Sequence, residues 1–419
     1  MSDFVTLQRG NTYKGALLGR PGPYLLGLAC IQRNGGFKSD NLKTYGGDSD
    51  PRIIVGPGDL IVSLKDVTQA ADLLGSVVRV PDHIKIGRLT QDTVKLVFKS
   101  DTSRDYIYWI LRTAEARQHC RSLATGTTNL GLARADFLSF VVPPLTLERQ
   151  HLLELLSALD DKIELNRRMN ETLEASARAL FRDWFVDFGP TRAKAEGRPP
   201  YLAPDIWSLF PDQMGNDGVP VGWGLGTFAD VASAVNHKAD PTDIDPDTPY
   251  IGLEHMPRRS IALHDWDGAG KVTSAKSVFT AGQILFGKLR PYFHKVGIAP
   301  VSGVCSTDIV VLQPRSPELS ALALACASTD EFVAFSDQSS TGTKMPRTSW
   351  SIMKRFPLTQ ADKPINIAFE KLVGPMIETI TKNIAESRTL AETRDALLPK
   401  LMSGEIRVRD AEAVVAECV

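Results

Sequence analysis

Cysteine is sparse and scattered. Cys30, Cys120, Cys305, Cys326 and Cys418 form an odd set with no close pair, which argues against a disulfide framework and against a zinc-ligand spacing. Reduced, mostly buried thiols are the expectation. Long apolar runs are missing too: nothing approaches the roughly twenty uninterrupted apolar residues that a membrane-spanning helix needs. The opening stretch, MSDFVTLQRGNTYKG, lacks the basic-then-apolar order of a signal peptide. A cytoplasmic location with no membrane partner is expected.

Catalytic motifs are equally scarce. An adenine methyltransferase needs an amide or acidic residue before Pro-Pro-aromatic to grip its base. Arg198-Pro199-Pro200-Tyr201 offers arginine there, inside a Pro/Gly-rich stretch, and Asp247-Thr248-Pro249-Tyr250 lacks the first proline. Gly270-Lys271-Val272 has neither the upstream glycine nor the hydroxyl residue of a P-loop. Gly222, Gly224 and Gly226 are too close together for a dinucleotide fingerprint, and no His-Glu-x-x-His occurs. The adjacent carboxylates Asp160 and Asp161 lie beside a helix seam, where a solvated face is the expectation. These absences argue against an enzyme, and no cofactor or metal site is expected.

Positive charge is modest where it is present at all. Residues 1–142 carry 18 Lys and Arg against 13 Asp and Glu, while residues 221–356 balance at 13 and 13. A chain that held nucleic acid by phosphate contacts alone would be far more basic.

What the sequence does contain is a repeat. Pro23-Tyr24-Leu25-Leu26-Gly27-Leu28 is matched by Pro249-Tyr250-Ile251-Gly252-Leu253, and VGPGDLIVSL (Val55–Leu64) by FTAGQILFGKL (Phe279–Leu289). GTTN at Gly126 is matched by GTKM at Gly342. A proline then marks a helix start in each copy: Pro143-Pro144 in the first, Pro357 in the second. Runs of β-branched residues with Gly/Pro turns predict strand–turn–strand units. GVCSTDIVVLQP (Gly303–Pro314) predicts one strand, and Arg104–Cys120 and Glu318–Thr329 predict helices. The fold class is α+β. The predicted layout is two globular segments, 1–142 and 221–356, a linker at 189–220, and long helices at 143–188 and 357–419.

The first long helix, starting near Thr146, carries a heptad stripe: Leu152, Leu156, Leu159, Ile163, Asn166, Asn170, Leu173, Ala177, Leu180, Trp184. Spacings of four and three alternate without a break, which is a coiled-coil seam. The second helix repeats it with Phe369, Val373, Met376, Ile380, Asn383, Ser387, Leu390, Arg394, Leu397 and Leu401. Two such helices in one chain pack on each other most simply as an antiparallel pair. That arrangement brings the polar levels together and lets them fix register at some cost in stability. At about 1.5 Å per residue the first helix is roughly 60 Å long, the length of about 18 base pairs of B-DNA.

Cations interleaved with amides and aromatics recur near predicted turns, the residue types that read base edges and hold phosphates. In the first segment these are Arg33, Lys38 and Lys43, among Asn34, Phe37, Asn41 and Tyr45. In the second they are Arg258, Arg259, Lys288 and Arg290 with Tyr292, then Lys344 and Arg347.

The helices carry a resemblance. Val141–Phe188 is similar to the central region of specificity subunits of Type I restriction–modification systems: Pro143-Pro144-Leu145, Glu148 and Gln150, Leu159-Asp160, Lys162-Ile163, Asn166, Leu173-Glu174, Leu180-Phe181 and Trp184-Phe185. LLPKLMSGEIRV (Leu397–Val408) resembles the family's C-terminal ending, and VPVGW (Val219–Trp223) the start of its second recognition domain. The second helix departs from the pattern at Arg394 and at its start. The resemblance implies a non-catalytic subunit with two target recognition domains, each reading half of a bipartite site in double-stranded DNA. It also implies an antiparallel coiled coil that fixes the gap between the halves. Leu159, Ile163, Asn166, Asn170, Leu173, Trp184, Ile380, Asn383, Leu390 and Leu397 would form that coiled-coil and partner interface. Methyltransferase subunits would bring the S-adenosylmethionine chemistry, and a restriction subunit the cleavage. Two rival classes stay open: a fused DNA methyltransferase/restriction enzyme fragment, which would bind S-adenosylmethionine by itself, and a coiled-coil scaffold without DNA contact, which would show no sequence preference.

Overall fold

The computed structural model describes residues 1–32, 36–39, 42–67, 71–99, 103–127, 129–338 and 345–403. Contacts divide the chain into two compact units: Met1–Asp161 with the chain from Leu390 onward, and Lys162–Thr389. Both mix helix and sheet.

The first unit is built on a four-stranded antiparallel sheet, in the order Val5–Arg9, Thr93–Phe98, Leu60–Ser63, Val77–Arg79. Leu60–Ser63 is buried at every residue, as a continuous apolar run in a central strand must be. A three-stranded sheet stands beside it. There Gly87–Leu89 pairs parallel with Tyr24–Leu26 and antiparallel with Ile54–Val55. Between Val55 and Leu60 the chain passes from one sheet to the other. Gly58 takes φ +79°, a left-handed conformation that costs glycine nothing, and its N–H donates to the Val80 carbonyl (2.8 Å). The Asp59 carboxylate caps the turn by accepting from Gly56 N–H (2.9 Å).

In the second unit the four-stranded antiparallel sheet runs Ala232–Val235, Ile309–Pro314, Ile284–Gly287, Val296–Ile298. In its five-stranded sheet, Gly303–Cys305 pairs parallel with Pro249–Ile251 and antiparallel with Lys276–Phe279. The switch between sheets falls at Gly282, φ +83°, whose N–H donates to Ala299 (2.9 Å). The Gln283 side chain accepts from Thr280 N–H (2.9 Å). Strand order, switch glycine and side-chain cap are thus the same in both units.

Three local expectations need correction. Gly303–Pro314 is two strands, Gly303–Cys305 and Ile309–Pro314, in different sheets, because the Ser306–Asp308 turn redirects the chain. Arg104–Cys120 is two helices, Arg104–Arg112 and Ala114–Ser122. Thr113 has extended backbone and its hydroxyl accepts from Ala116 N–H, ending one helix and capping the next. Pro357 does not start a helix. It opens the strand Pro357–Gln360, paired with Gly224–Thr227.

The long helices are Leu147–Phe181 and Lys363–Ser403. Thr146 caps the first: its hydroxyl accepts from Arg149 N–H (3.3 Å) and its carbonyl from Gln150 N–H (3.0 Å). The helix gives way to a wider turn over Arg182–Val186, then to left-handed Phe188 (φ +54°), and Pro190 follows. Pro364 stands in the first turn of the second helix, where a missing N–H costs nothing.

Each helix contributes residues to both units. In the second unit Trp184, Phe185 and Phe369 meet, with ring centroids 5.0–5.6 Å apart for Phe369 against the other two. Phe181, Val373 and Ile380 belong to the same buried cluster, and Leu173 packs on it. Ile163 is half-buried. The polar residues of this segment pair: Asn383 Nδ2 donates to Asn170 Oδ1 (2.8 Å). Asn166 Nδ2 donates to Glu386 (2.7 Å) and Ser387 (3.3 Å), and Lys162 pairs with Glu386 (3.2 Å). The partner number falls on one helix as it rises on the other.

In the first unit Leu152, Leu156 and Leu397 join one core, and Leu159 and Leu390 are also buried. Arg394, the odd residue in the stripe, pairs with Asp160 and Asp395. Asp160 also takes Arg112 (2.9 Å) and Tyr108 OH (3.2 Å). Asp160 is therefore the centre of a polar cluster, not one of a pair of solvated carboxylates. Asp161 is exposed.

Replacing Asn170 by Ala leaves the Asn383 amide buried without its acceptor. A loss of about 1–3 kcal/mol is expected. The double change Asn170→Leu, Asn383→Leu should recover most of it, because the seam becomes apolar on both sides. Urea denaturation followed by helix dichroism measures both. A double variant no better than the single one would show that the pair is not the reason for the loss.

Candidate nucleic-acid interface

The predicted cations of the second unit gather on two loops and a bridging segment. The loop after the buried strand Ile284–Gly287 holds Lys288, Arg290, Tyr292 and Phe293. A second loop holds Arg258 and Arg259. The segment at Arg347 bridges back to Leu289. Backbone bonds fasten them: Arg290 N–H donates to Pro346 (2.8 Å), Thr348 N–H to Lys288 (3.0 Å), and Arg259 N–H to His294 (2.9 Å).

Three non-glycine residues here hold left-handed backbone: Arg259 (φ +58°), Arg290 (φ +51°) and His294 (φ +51°). Each costs of order 1–3 kcal/mol and persists only where neighbours impose it. His294 supplies much of that constraint. Its ring faces the Ser328 carbonyl (2.9 Å) and Asp330 (3.2 Å) and is buried. Burial pushes the imidazole below its ordinary value, against the pull of Ser328 and Asp330. Asp330 also pairs with Arg259 (2.8 Å).

The predicted cations then divide by partner. Arg259 is tied to Asp330 and Arg347 to Asp308 (3.3 Å). Arg258 and Arg290 lie over the Phe293 ring, their guanidinium carbons 3.8 and 5.8 Å from its centroid. Tyr292, half exposed at 52%, meets Phe293 edge-on at 4.8 Å. Lys288 is half-buried, close enough to Cys305 to oppose the effect of burial, which raises that thiol to about 12. The thiols of Cys30, Cys120 and Cys326 are likewise buried and raised. Among the described residues no cluster of His, Cys, Asp or Glu is placed to hold a metal ion.

In the first unit Lys38 and Lys43 are exposed on a segment bonded to Cys30 and Leu25 through Lys38 N–H (2.9 Å) and the Lys43 carbonyl (2.8 Å). Tyr45 departs from expectation. It is buried, with the Arg88 guanidinium 4.7 Å from its ring centre and Tyr13 edge-on at 6.3 Å. Tyr13 and Lys14 are exposed beside it, and the Lys14 N–H donates to Tyr45 OH (3.4 Å). Arg33 and Lys344, with Asn34 and Asn41, lie outside the described residues.

Sequence reasoning missed Phe293, His294 and Asp330. The alternation Arg290-Pro291-Tyr292-Phe293-His294-Lys295 could have flagged the first. The pairing of His294 with Asp330, 36 residues away, leaves no local signal. It also missed Glu174. This carboxylate is 7% exposed on the first long helix and accepts from Ile261 N–H (3.1 Å), Ser260 (3.2 Å) and Arg178 (2.6 Å). Burial pushes its carboxyl up, and these bonds oppose the shift. It fastens the Arg258–Arg259 loop two residues downstream.

No protein-family model matches the chain. Individual proteins do. The Type I restriction enzyme HindI specificity subunit of Haemophilus influenzae is 26% identical over 361 residues, covering 72% of this chain and 77% of the relative. The MjaIX specificity subunit of Methanocaldococcus jannaschii is 23% identical over 328 residues, 75% and 72% of the two chains. Its relatives are Type I specificity subunits. The resemblance read from the helices therefore holds across most of the chain. The Type I S subunit structure from M. genitalium shares the fold, with a TM-score of 0.50 at 14% identity, over 96% of this chain and 94% of that one.

Replacing Glu174 by Ala leaves the buried Ile261 N–H without an acceptor. Hydrogen exchange at the Ile261 amide should accelerate, consistent with a cost of about 1–3 kcal/mol. Glu174→Gln keeps an acceptor and should retain most of the protection. Unchanged exchange in the Ala variant would show that Glu174 does not hold this loop.

Proposed function

We propose that the chain is the DNA sequence-recognition subunit of a Type I restriction–modification complex, acting in the cytoplasm. Residues 1–142 and 221–356 are diverged copies of one target recognition domain, and each reads half of a bipartite site in double-stranded DNA. The long helices pair as an antiparallel coiled coil whose length sets the gap between half-sites. Methyltransferase subunits dock on the chain and supply the S-adenosylmethionine chemistry, and a restriction subunit supplies cleavage. The chain itself is not catalytic.

One observation supports this reading above the others. The same strand order, with the same glycine switch between sheets, occurs twice in one chain, and duplicated scaffolds suit a site with two halves. The kinship with specificity subunits agrees with it. So does the modest charge, since the complex would draw further phosphate contacts from its other subunits.

Methylome sequencing of cells expressing the chain with its methyltransferase subunit tests the reading. A bipartite consensus with a fixed spacer is expected, and methylation without sequence preference would overturn it. Lengthening both helices by one heptad adds about 10 Å. The spacer should then grow by about three base pairs, at about 3.4 Å each, with both half-sites unchanged. An unchanged spacer would rule out the helices as its determinant.

A further inference from the structure

The two copies of the fold carry their charge in different places. Residues 11–47 contain five Lys and Arg (Lys14, Arg20, Arg33, Lys38 and Lys43) against one acid, Asp40. That excess of four is most of the excess of five in residues 1–142. The offset that aligns Pro23 with Pro249 places the copy of this stretch at residues 237–273, which contain four Lys and Arg against seven acids. We propose that the first domain grips the phosphate backbone of its half-site through Lys14, Arg20 and Lys43, a contact face that its copy lacks. The proposal rests on the reading of the chain as a DNA-recognition subunit.

Three passes of chain meet at this face. Gly19 N–H donates to the Thr44 carbonyl (2.9 Å), Gly46 N–H to Leu17 (3.1 Å) and Leu25 N–H to Lys43 (2.8 Å). Isolated bridges join Leu18 to Tyr45 and Tyr24 to Thr44. Gly46 lies so close to Arg20 that a Cβ there would stand 2.6 Å from the Arg20 Cβ. These contacts set residues 14–20 beside Lys43 and Tyr24. Lys14, Arg20 and Lys43 are exposed, and so are Tyr13 and Tyr24.

Among the described residues no carboxylate pairs with Lys14, Arg20 or Lys43. Elsewhere in the unit cations are committed: Lys65 to Asp92 (2.9 Å), Arg79 to Asp105 (2.6 Å) and Lys95 to Asp59 (2.7 Å). A cation without an acid of its own can neutralise a phosphate and release its counterion without first giving up a partner.

Beneath the face lies a further cation. Arg88 is 2% exposed and has no carboxylate partner among the described residues. Its guanidinium donates to the Asn11 side chain, to the Thr12 carbonyl (2.9 Å) and to the Leu89 carbonyl (3.3 Å). Its carbon is 4.7 Å from the centre of the Tyr45 ring, and Lys14 is tied to Tyr45 through its N–H. Arg88 thus holds the start of the segment and is its positioning residue. A guanidinium keeps its charge when buried, so its field adds to that of the exposed cations. A polyanion lying over the face supplies the counter-charge that the fold itself omits. The matching strand of the second domain, Gly303–Cys305, contains no cation. Buried cation and basic face therefore occur together in one domain and are both missing from the other.

The test uses the full chain in complex with its methyltransferase subunits, and reads DNA affinity against salt on duplexes carrying the methylated consensus. Lys14→Ala, Arg20→Ala and Lys43→Ala should each lower the slope of log affinity against log salt by about one, and the triple variant by about three. Base preference in both half-sites should stay as in wild type, which also reports that the variants are folded. Lys65→Ala and Arg79→Ala remove the same charge from ion-paired positions and should leave the slope unchanged. Arg88→Met should weaken binding most at low salt, where its field is least screened, and Arg88→Lys should recover part of the loss.

A triple variant with the wild-type slope would overturn the proposal, and so would an equal fall in slope for the Lys65 and Arg79 variants. Relaxed preference at a single base with the slope retained would make these residues base readers and overturn it too. A loss in Arg88→Met that is equal at all salt concentrations would make Arg88 structural only and strike it from the proposal. A wild-type complex with no consensus would instead overturn the reading of the chain itself, and the proposal with it.

Discussion

A buried amide on a helix seam has to be answered by another polar group, and Asn170 and Asn383 answer each other. An all-leucine stripe would hold two helices as well at one register as a heptad away. The Asn170–Asn383 bond, with Asn166 on Glu386 and Ser387, is satisfied at a single register. Everything else in the second unit that involves both helices follows from that choice. Phe369 meets Trp184 and Phe185 only if the seam is in step. Lys162 reaches Glu386 for the same reason. In the first unit Arg394 and Asp160 play the corresponding part, with an ion pair in place of an amide pair. Breaking a buried pair on one side costs more than never having built it, so each polar contact acts as a check on alignment.

The sheets carry the second constraint. Each unit passes from one sheet to another through a glycine at positive φ, and the strand that follows is buried on both faces. That combination lets a four-residue strand anchor the loop that leaves it. In the second unit the loop carries Arg290, Tyr292 and Phe293. Its left-handed residues are tolerable because the central strand cannot shift without emptying the core around Leu285 and Phe286. Local strain at the interface is thereby set against packing in the sheet.

Much of this was legible in the sequence, and the reason lies in periodicity. The heptad stripe marks buried positions because a helix seam repeats at fixed spacing. Nine of the ten stripe positions read on the first helix, Leu152 to Leu180, fall within one continuous helix, and the tenth, Trp184, lies in the wider turn that follows it. The paired strings at Val55 and Phe279 were legible because the switch between sheets demands the same small set of residues twice. What was not legible depends on partners far apart in the chain. Asp160 looked like surface because Arg112 and Arg394 are 48 and 234 residues away. Tyr45 looked like an interface residue because Arg88, which lies over its ring, comes from the distant strand Gly87–Leu89. Pro357 looked like a helix start because a strand of four residues, paired with Gly224–Thr227, has too little pattern of its own. The arginines were visible as residues, but their division between Phe293 and the carboxylates was not.

That division bears on how a chain of balanced charge deals with a polyanion. Phosphate attraction grows with the number of uncommitted cations and is blind to sequence. Here two candidate cations are spent internally, Arg259 on Asp330 and Arg347 on Asp308, and in the first unit Lys65 pairs with Asp92 and Arg79 with Asp105. Each such pair gives up attraction for placement. A surface with every cation free would bind any duplex and hold its loops loosely. One in which carboxylates fix part of the cations binds non-specific DNA more weakly, and its loops are presented at set positions. Discrimination is a difference between affinities, so weakening the indiscriminate contribution sharpens it as effectively as strengthening the contact to the correct base.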